Sequence, residues 1–248
     1  MMNRLAWAAT ALLALTQGAL GLDTCGQAQY DPTQYVCWYH EFLCPVTAGE
    51  GLSYCNGSCY SKFMYTCTNN VLTLLPPVQG PFTLTVWNPT LPIQDTPVTA
   101  GGLRWSLNGN TSSYCPGVVP PSECPPGTTT SIVSANGYAA MNVKVPGGQL
   151  VYLTPDWQVG YTQAHSAYIP SGSITGGFGA YEGGGFVNLN GNGFGWVACP
   201  IRASGPTGGV WQLFGRNETN GASLSYCTPI NLKINPTPAG EFGAWQYT

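Results

Sequence analysis

The sequence predicts an all-β protein in two parts. A small disulfide-rich N-terminal module precedes a larger antiparallel β-sandwich or barrel, and a β-trefoil also fits the length of that second part. Three observations predict this. Two stretches thirty residues apart repeat each other around closely spaced cysteines. The rest of the chain alternates short β-branched or aromatic runs with Gly and Pro clusters. Past the N-terminal leader, no helical periodicity lasts longer than a turn or two.

The chain opens with features of a secretory signal. Arg4 supplies a positive n-region, residues 5–15 form an apolar run too short to span a bilayer, and Ala19-Leu20-Gly21 offers a small-residue cleavage site after Gly21. Residues 1–21 are therefore read as a signal peptide, and the mature protein as extracellular or in a cell wall. The last eight residues, 241–248, lack the hydrophobic tail of a lipid-anchor signal. Removing Arg4 takes the formal charge from −3 to −4. That sign argues against nucleic acid and against anionic membranes as partners. Only 7% of residues are charged, while 14 are Tyr and 8 are Trp, the reverse of a disordered composition.

Ten cysteines behind a signal read as disulfides: Cys25, Cys37, Cys44, Cys55, Cys59, Cys67, Cys115, Cys124, Cys199 and Cys227. Zinc is the competing use. Only His40 and His165 could join the thiolates, and the compartment is oxidising, so neither a metal nor a cofactor is expected. Asn56, Asn110 and Asn217 each begin an N-glycosylation sequon, in keeping with secretion.

Residues 25–37 align without a gap on residues 55–67, in the frame C-x4-Y-x4-Y-x-C. Six cysteines fall between Cys25 and Cys67 and the other four are spread over the remainder, so residues 22–76 are read as one module and 80–248 as a second. Residues 74–81, with paired prolines, read as an extended linker. Six cysteines allow fifteen pairings. The repeat suggests that each arm closes on itself, Cys25 with Cys37 and Cys55 with Cys67, leaving Cys44 and Cys59. In the second module Cys115 and Cys124 bracket a Pro-rich turn, and Cys199 and Cys227 remain for each other.

The second module reads as strands at residues 82–87, 140–145, 150–153, 210–214 and 230–234, separated by Gly or Pro clusters such as Pro146-Gly147-Gly148 and Gly183-Gly184-Gly185. Many short strands with turn punctuation point to a sandwich or barrel. For glycoside hydrolysis two carboxyl groups must face one bond. Asp95, Asp156, Glu182 and Glu241 are the candidates, and no two share a strand face at i, i+2. His165-Ser166 are adjacent, so on a strand they point to opposite faces; a histidine hydrogen-bonded within a hairpin is the simpler reading. No nucleophile elbow and no phosphate loop occurs.

Aromatic residues carry more signal. Sugar rings present C–H faces that stack on Tyr and Trp. A small disulfide-pinned module can hold such rings rigidly at its surface with little core. Tyr30, Tyr35, Tyr60 and Tyr65 of the repeat divide equally between core and binding roles. Trp38 and Tyr39 lie outside the repeat and are the stronger candidates for exposure.

Residues 25–72 resemble the fungal family 52 carbohydrate-binding modules, through Cys25-Gly26, Ala28, Tyr30, Pro32, Tyr35, Cys37, Phe42-Leu43-Cys44-Pro45, Cys55, Cys59-Tyr60, Tyr65 and Cys67. The resemblance implies binding of β-1,3-glucan. One departure is Asn56, which stands directly after Cys55 where the family pattern has glycine, and which creates a sequon on the second arm. Residues 80–248 resemble the fungal phialide cell wall proteins, which are secreted and tied to conidium development. Here the matching strings are Ser113-Tyr114-Cys115-Pro116, Val145-Pro146-Gly147-Gly148-Gln149, residues 161–167 with Thr162-Gln163-Ala164-His165-Ser166, Ile169-Pro170, Ala198-Cys199-Pro200 and Trp211-Gln212. The combined reading is a secreted cell-wall glycoprotein that docks on β-1,3-glucan through its N-terminal module, with a structural or developmental β-domain. Two alternatives stand beside it: an endo-β-1,3-glucanase with an appended binding module, and a secreted effector or allergen-like protein whose partner is another protein.

Overall fold

The computed structural model describes residues 21–190, 195–201, 209–216 and 226–248. The signal-peptide reading of residues 1–20 and the sequon at Asn217 fall outside these residues. Among the described residues the chain is all-β, with one short 3-10 turn at Pro121–Glu123.

The N-terminal part is a chain of hairpins. Strands β1 (Asp23–Cys25) and β2 (Ala28–Tyr30) pair, then β3 (Tyr35–Trp38), β4 (Phe42–Thr47) and β5 (Glu50–Gly51). The pattern repeats with β6 (Ser53–Cys55) and β7 (Ser58–Tyr60), then β8 (Tyr65–Thr68) and β9 (Val71–Leu74). β1, β2 and β3 map onto β6, β7 and β8 at the same thirty-residue offset as the sequence repeat. Three disulfides hold these hairpins. Cys25–Cys37 and Cys55–Cys67 close the two arms, with Cα separations of 5.7 and 5.8 Å, and Cys44–Cys59 ties one arm to the other at 5.5 Å. Such crosslinks replace the hydrophobic core that so short a segment lacks.

The larger part is one antiparallel sheet of twelve strands. In chain order they are β10 (Phe82–Trp87), β11 (Val98–Gly101), β12 (Arg104–Leu107), β14 (Ile132–Ala135), β15 (Tyr138–Met141), β16 (Gln149–Leu153), β17 (Val159–Tyr161), β18 (Phe178–Ala180), β19 (Gly185–Asn188), β20 (Trp196–Pro200), β21 (Trp211–Gly215) and β22 (Thr228–Pro236). Pairing runs β10-β14-β15-β16-β17-β12-β21-β20-β22, and β22 pairs back onto β10 over Phe82↔Pro236 to Trp87↔Asn231. The ring therefore closes into a barrel-like body, with β19–β18 branching from β22 and β11 from β12 as its remaining edges. Alternation sets what lies inside. Phe82, Leu84 and Val86 of β10 and Ile230, Leu232 and Ile234 of β22 are buried, so Asn231 and Lys233 face outward. Trp105, Phe178, Phe186 and Trp196 complete the core, the last three as near-parallel rings 5.4–6.3 Å apart.

The C-terminal β23 (Gln246–Tyr247) pairs with β13 (Ser113–Tyr114). Buried Gln149 staples it there: its amide nitrogen donates to the Thr162 and Tyr247 carbonyls, and its oxygen accepts from the Tyr247 N–H. The Tyr247 hydroxyl donates to the Thr129 carbonyl and accepts from the Ser131 N–H. Burial pushes this phenol up to about 12. Cys115–Cys124 and Cys199–Cys227 are the remaining disulfides, and no cysteine is free.

One expectation changes. The strand expected at residues 140–145 ends at Met141. Residues 142–145 alternate like a strand, but beyond the Asn142 N–H bond to the Ser131 carbonyl their backbone N–H groups meet the passing C-terminal segment, Lys144 N–H at the Ala244 carbonyl and Val145 N–H at that of Trp245. The segment at residues 74–81, read as an extended linker, is pinned to the barrel. Leu74 ends β9, Val78 is buried, Val78 N–H donates to the Ala180 carbonyl, and Pro77 bridges Tyr181.

Candidate carbohydrate-binding site

The two arms share a turn built in the same way. In the first, Thr33 donates its N–H and hydroxyl to the Asp31 carboxylate at 2.8 and 2.7 Å, while Gln34 and Tyr35 donate to the Asp31 carbonyl. Those Thr33 hydrogen bonds, the side-chain one foremost, hold the Asp31 carboxyl below the usual carboxylate range. In the second arm Ser61 replaces Asp31, accepting from Phe63 N–H on its hydroxyl and from Met64 and Tyr65 N–H on its carbonyl.

The arms then diverge at the next turn. In the second, Asn69-Asn70 joins β8 to β9 with φ of 52° and 61°. Successive positive φ values suit a two-residue hairpin, and asparagine tolerates them. In the first arm the equivalent residues are Tyr39 and His40, with φ of 54° and 61°. A bulky side chain in this left-handed region is strained, at about 1–3 kcal/mol. The ring so placed is 75% exposed.

Neighbouring rings brace Tyr39. Trp38 lies 6.4 Å away and is anchored by its indole N–H, which donates to the Leu52 carbonyl at 3.0 Å. Tyr54 meets Tyr39 edge-on at 5.5 Å, and Phe42 packs on Tyr54 at 4.9 Å. The result is an aromatic platform of Trp38, Tyr39 and Phe42 from the first arm, completed by Tyr54 from β6 at the start of the second. Its rings offer stacking faces to an uncharged ligand.

The six tyrosines and tryptophans expected to bind sugar are not all in one place. Trp38 and Tyr39 share the platform. Tyr35 is exposed on β3 and Tyr30 half-buried on β2, and no ring contact among the described residues joins either to the platform. Tyr60 and Tyr65 belong to the second arm, beside the barrel. Phe42 and Tyr54 were not expected as members. Tyr54 stands just before Cys55, outside the repeated frame, and reaches Tyr39 only because β4, β5 and β6 fold back.

The second arm faces the barrel. Phe63, where the first arm has Thr33, is buried, and its carbonyl accepts from Gly185 N–H at 2.9 Å. A Cβ on Gly184 would lie 2.5 Å from that carbonyl oxygen, and one on Gly185 2.8 Å from the Phe63 ring, so this close approach needs glycine. Trp87 packs on Phe63 at 6.4 Å and donates its indole N–H to Glu50 at 2.8 Å. Glu50 also pairs with Lys62, and the Lys62 and Lys233 ammonium groups sit 5.8 and 5.7 Å from the Trp87 ring. Glu182 N–H donates to the Pro76 carbonyl.

The candidate catalytic groups are dispersed. Asp156 accepts from the Thr154 hydroxyl within its turn, and Asp95 accepts from Gln94 on an exposed turn. His165 has φ of 61° and is exposed, while the Ser166 hydroxyl accepts from Tyr168 N–H. Among the described residues no group of three or more His, Cys, Asp or Glu could hold a metal. Asn56 and Asn110 are exposed, Asn56 at the β6–β7 turn with φ of 44° followed by Gly57 at 83°. That Asn-Gly pair fits the same mirror-image turn, which accounts locally for asparagine in place of glycine.

Residues 24–72 match a family described as carbohydrate binding. Residues 82–248 match the family described as PhiA-like secreted protein, and the chain belongs to it. An uncharacterised secreted protein of Arthroderma benhamiae is 35% identical over 167 residues, which cover 63% of this chain and 80% of that one. A primary septum glucan endo-1,3-beta-D-glucosidase of Schizosaccharomyces pombe is 34% identical over 58 residues. That match covers 23% of this chain and only 6% of the relative. No solved structure matches. The protein is thus secreted and carries a carbohydrate-binding module on a PhiA-like body.

Proposed function

We propose that the protein binds β-1,3-glucan of a cell wall through the Trp38–Tyr39–Tyr54 platform, while the barrel is a structural body that holds the module in place. The observation that carries this reading is Tyr39: an exposed ring in a left-handed conformation, braced by Trp38 and Tyr54. Strain of this kind persists where the surroundings over-determine it, and it clusters at binding sites. Likeness to a glucan endo-1,3-beta-D-glucosidase, confined to a short segment, favours glucan over other wall polymers.

The test is retention of the full-length secreted chain on insoluble β-1,3-glucan, with cellulose and chitin as controls. Tyr39→Ala and Trp38→Ala should each weaken retention by several-fold to tenfold, since one stacked ring is worth about 1 kcal/mol. The full chain is required because Phe63 is buried against the barrel. Equal retention on all three polymers, or none on β-1,3-glucan, refutes the proposal.

A further inference from the structure

The platform draws on the first arm and on Tyr54 of β6. The repeated tyrosines of the second arm lie elsewhere, and their setting exists only because the barrel packs beside them. Tyr60, Tyr65 and Leu72 form one wall of a cleft of about 680 Å³, and Val187, Asn231 and Arg216 of the barrel form the other. We propose that this cleft is a second glycan-binding subsite, composite between the two parts of the chain, for a short neutral segment of the same β-glucan. The inference rests on the glucan-binding reading and extends it to a second place on the molecule.

The chemistry of the walls supports a neutral sugar. Among the described residues no carboxylate lines the cleft, and Arg216 is its single charged group. Rings and aliphatic carbons alternate with phenol, amide and guanidinium groups, which matches the C–H faces and hydroxyls of a pyranose. The volume falls within the roughly 300–1,000 Å³ of ligand pockets. Strand alternation aims Asn231 there, because Ile230 and Leu232 on either side point into the core. Tyr65 lies close enough to Tyr181 of the barrel to help burial raise the Tyr181 phenol, so the second arm's tyrosines are held at the joint between the parts.

The experiment titrates the full chain with laminarihexaose by isothermal calorimetry, following the Arg216 side-chain N–H by NMR. Wild type should bind two molecules per chain. Tyr39→Ala should remove one and leave the Arg216 resonance shifting on titration. Adding Arg216→Ala or Tyr60→Ala to Tyr39→Ala should weaken the remaining site by roughly fivefold to tenfold. Arg216 is exposed, so its removal leaves folding intact where Tyr60→Ala perturbs it. If Tyr39→Ala abolishes all binding, or if the residual site ignores Arg216→Ala, the cleft is not a subsite although the platform stands. If wild type binds no laminarihexaose and is not retained on insoluble glucan, both readings fall.

Discussion

Replacing Tyr39 by asparagine separates a binding role from a structural one, because the chain itself provides the control. Asn69 occupies the equivalent turn position in the second arm at nearly the same φ, 52° against 54°. Two energies oppose each other in Tyr39→Asn. Relief of the left-handed strain gains about 1–2 kcal/mol. Loss of the edge-on contact with Tyr54, at 5.5 Å, costs about 0.5–1.5 kcal/mol. The two nearly cancel, so stability should stay within about 1 kcal/mol of wild type, a shift of no more than about 4 °C in Tm. Binding has no such compensation. One lost stacking face of about 1 kcal/mol or slightly more lowers affinity for β-1,3-glucan by roughly fivefold to tenfold. The assay pairs a thermal melt with a depletion isotherm on the insoluble polymer. A fall in stability beyond about 2 kcal/mol would make Tyr39 a structural ring. Unchanged binding would remove it from the site.

Gly185→Ala should weaken the packing of the second arm by about 1–3 kcal/mol, because the new Cβ would meet the Leu232 carbonyl oxygen at 2.7 Å and the Phe63 ring at 2.8 Å. Hydrogen exchange should then quicken in residues 74–81 while the three N-terminal disulfides stay intact by peptide mapping. Raising sodium chloride about tenfold should change binding to neutral glucan by less than about twofold, since stacking involves no ion pair to screen; a steep loss would indicate a charged ligand. Alkaline titration should destabilise the barrel. Tyr247 ionises at about 12 in the fold against 10.0 unperturbed, so its contribution is whole below pH 10 and is lost as pH rises towards 12. Up to about 2–3 kcal/mol is at stake, and Tyr247→Phe should flatten that part of the pH–stability curve.

The parts of the fold that sequence revealed are those where a period or a spacing is repeated. β10 matches the expected run at residues 82–87, and the inward set Ile230, Leu232 and Ile234 follows from alternation alone. Asn142–Val145 alternates too, yet its neighbour is the irregular segment at Gly243–Trp245 rather than a strand, and alternation cannot report what kind of partner runs alongside. Gly183-Gly184-Gly185 read as turn punctuation. Glycine marks a turn and a close backbone approach equally well, and only the Phe63 carbonyl shows that the approach is what Gly184 and Gly185 supply. The frame of the repeat made Tyr60 and Tyr65 look equivalent to Tyr30 and Tyr35. Their surroundings differ because a variable position within the repeat, Thr33 in one arm and Phe63 in the other, decides which arm meets the barrel.

That asymmetry is written in few substitutions. Thr33 becomes Phe63, and a solvent-facing turn becomes a buried contact. Tyr39-His40 becomes Asn69-Asn70, and a strained display loop becomes a relaxed hairpin. The hairpins and arm-closing disulfides are alike in both, so neither change disturbs the framework. A duplicated module of this kind can specialise because disulfides, not a shared hydrophobic core, carry its stability. Surface residues are then released from packing duty: one arm can spend its exposed face on a ligand platform while the other is committed to the barrel. The commitment has a further consequence for any binding by the first arm. Phe63, Trp87 and the pinned segment at Pro77 and Val78 hold the second arm on the barrel, and Cys44–Cys59 ties the first arm to the second, so the position of the platform is set through these contacts.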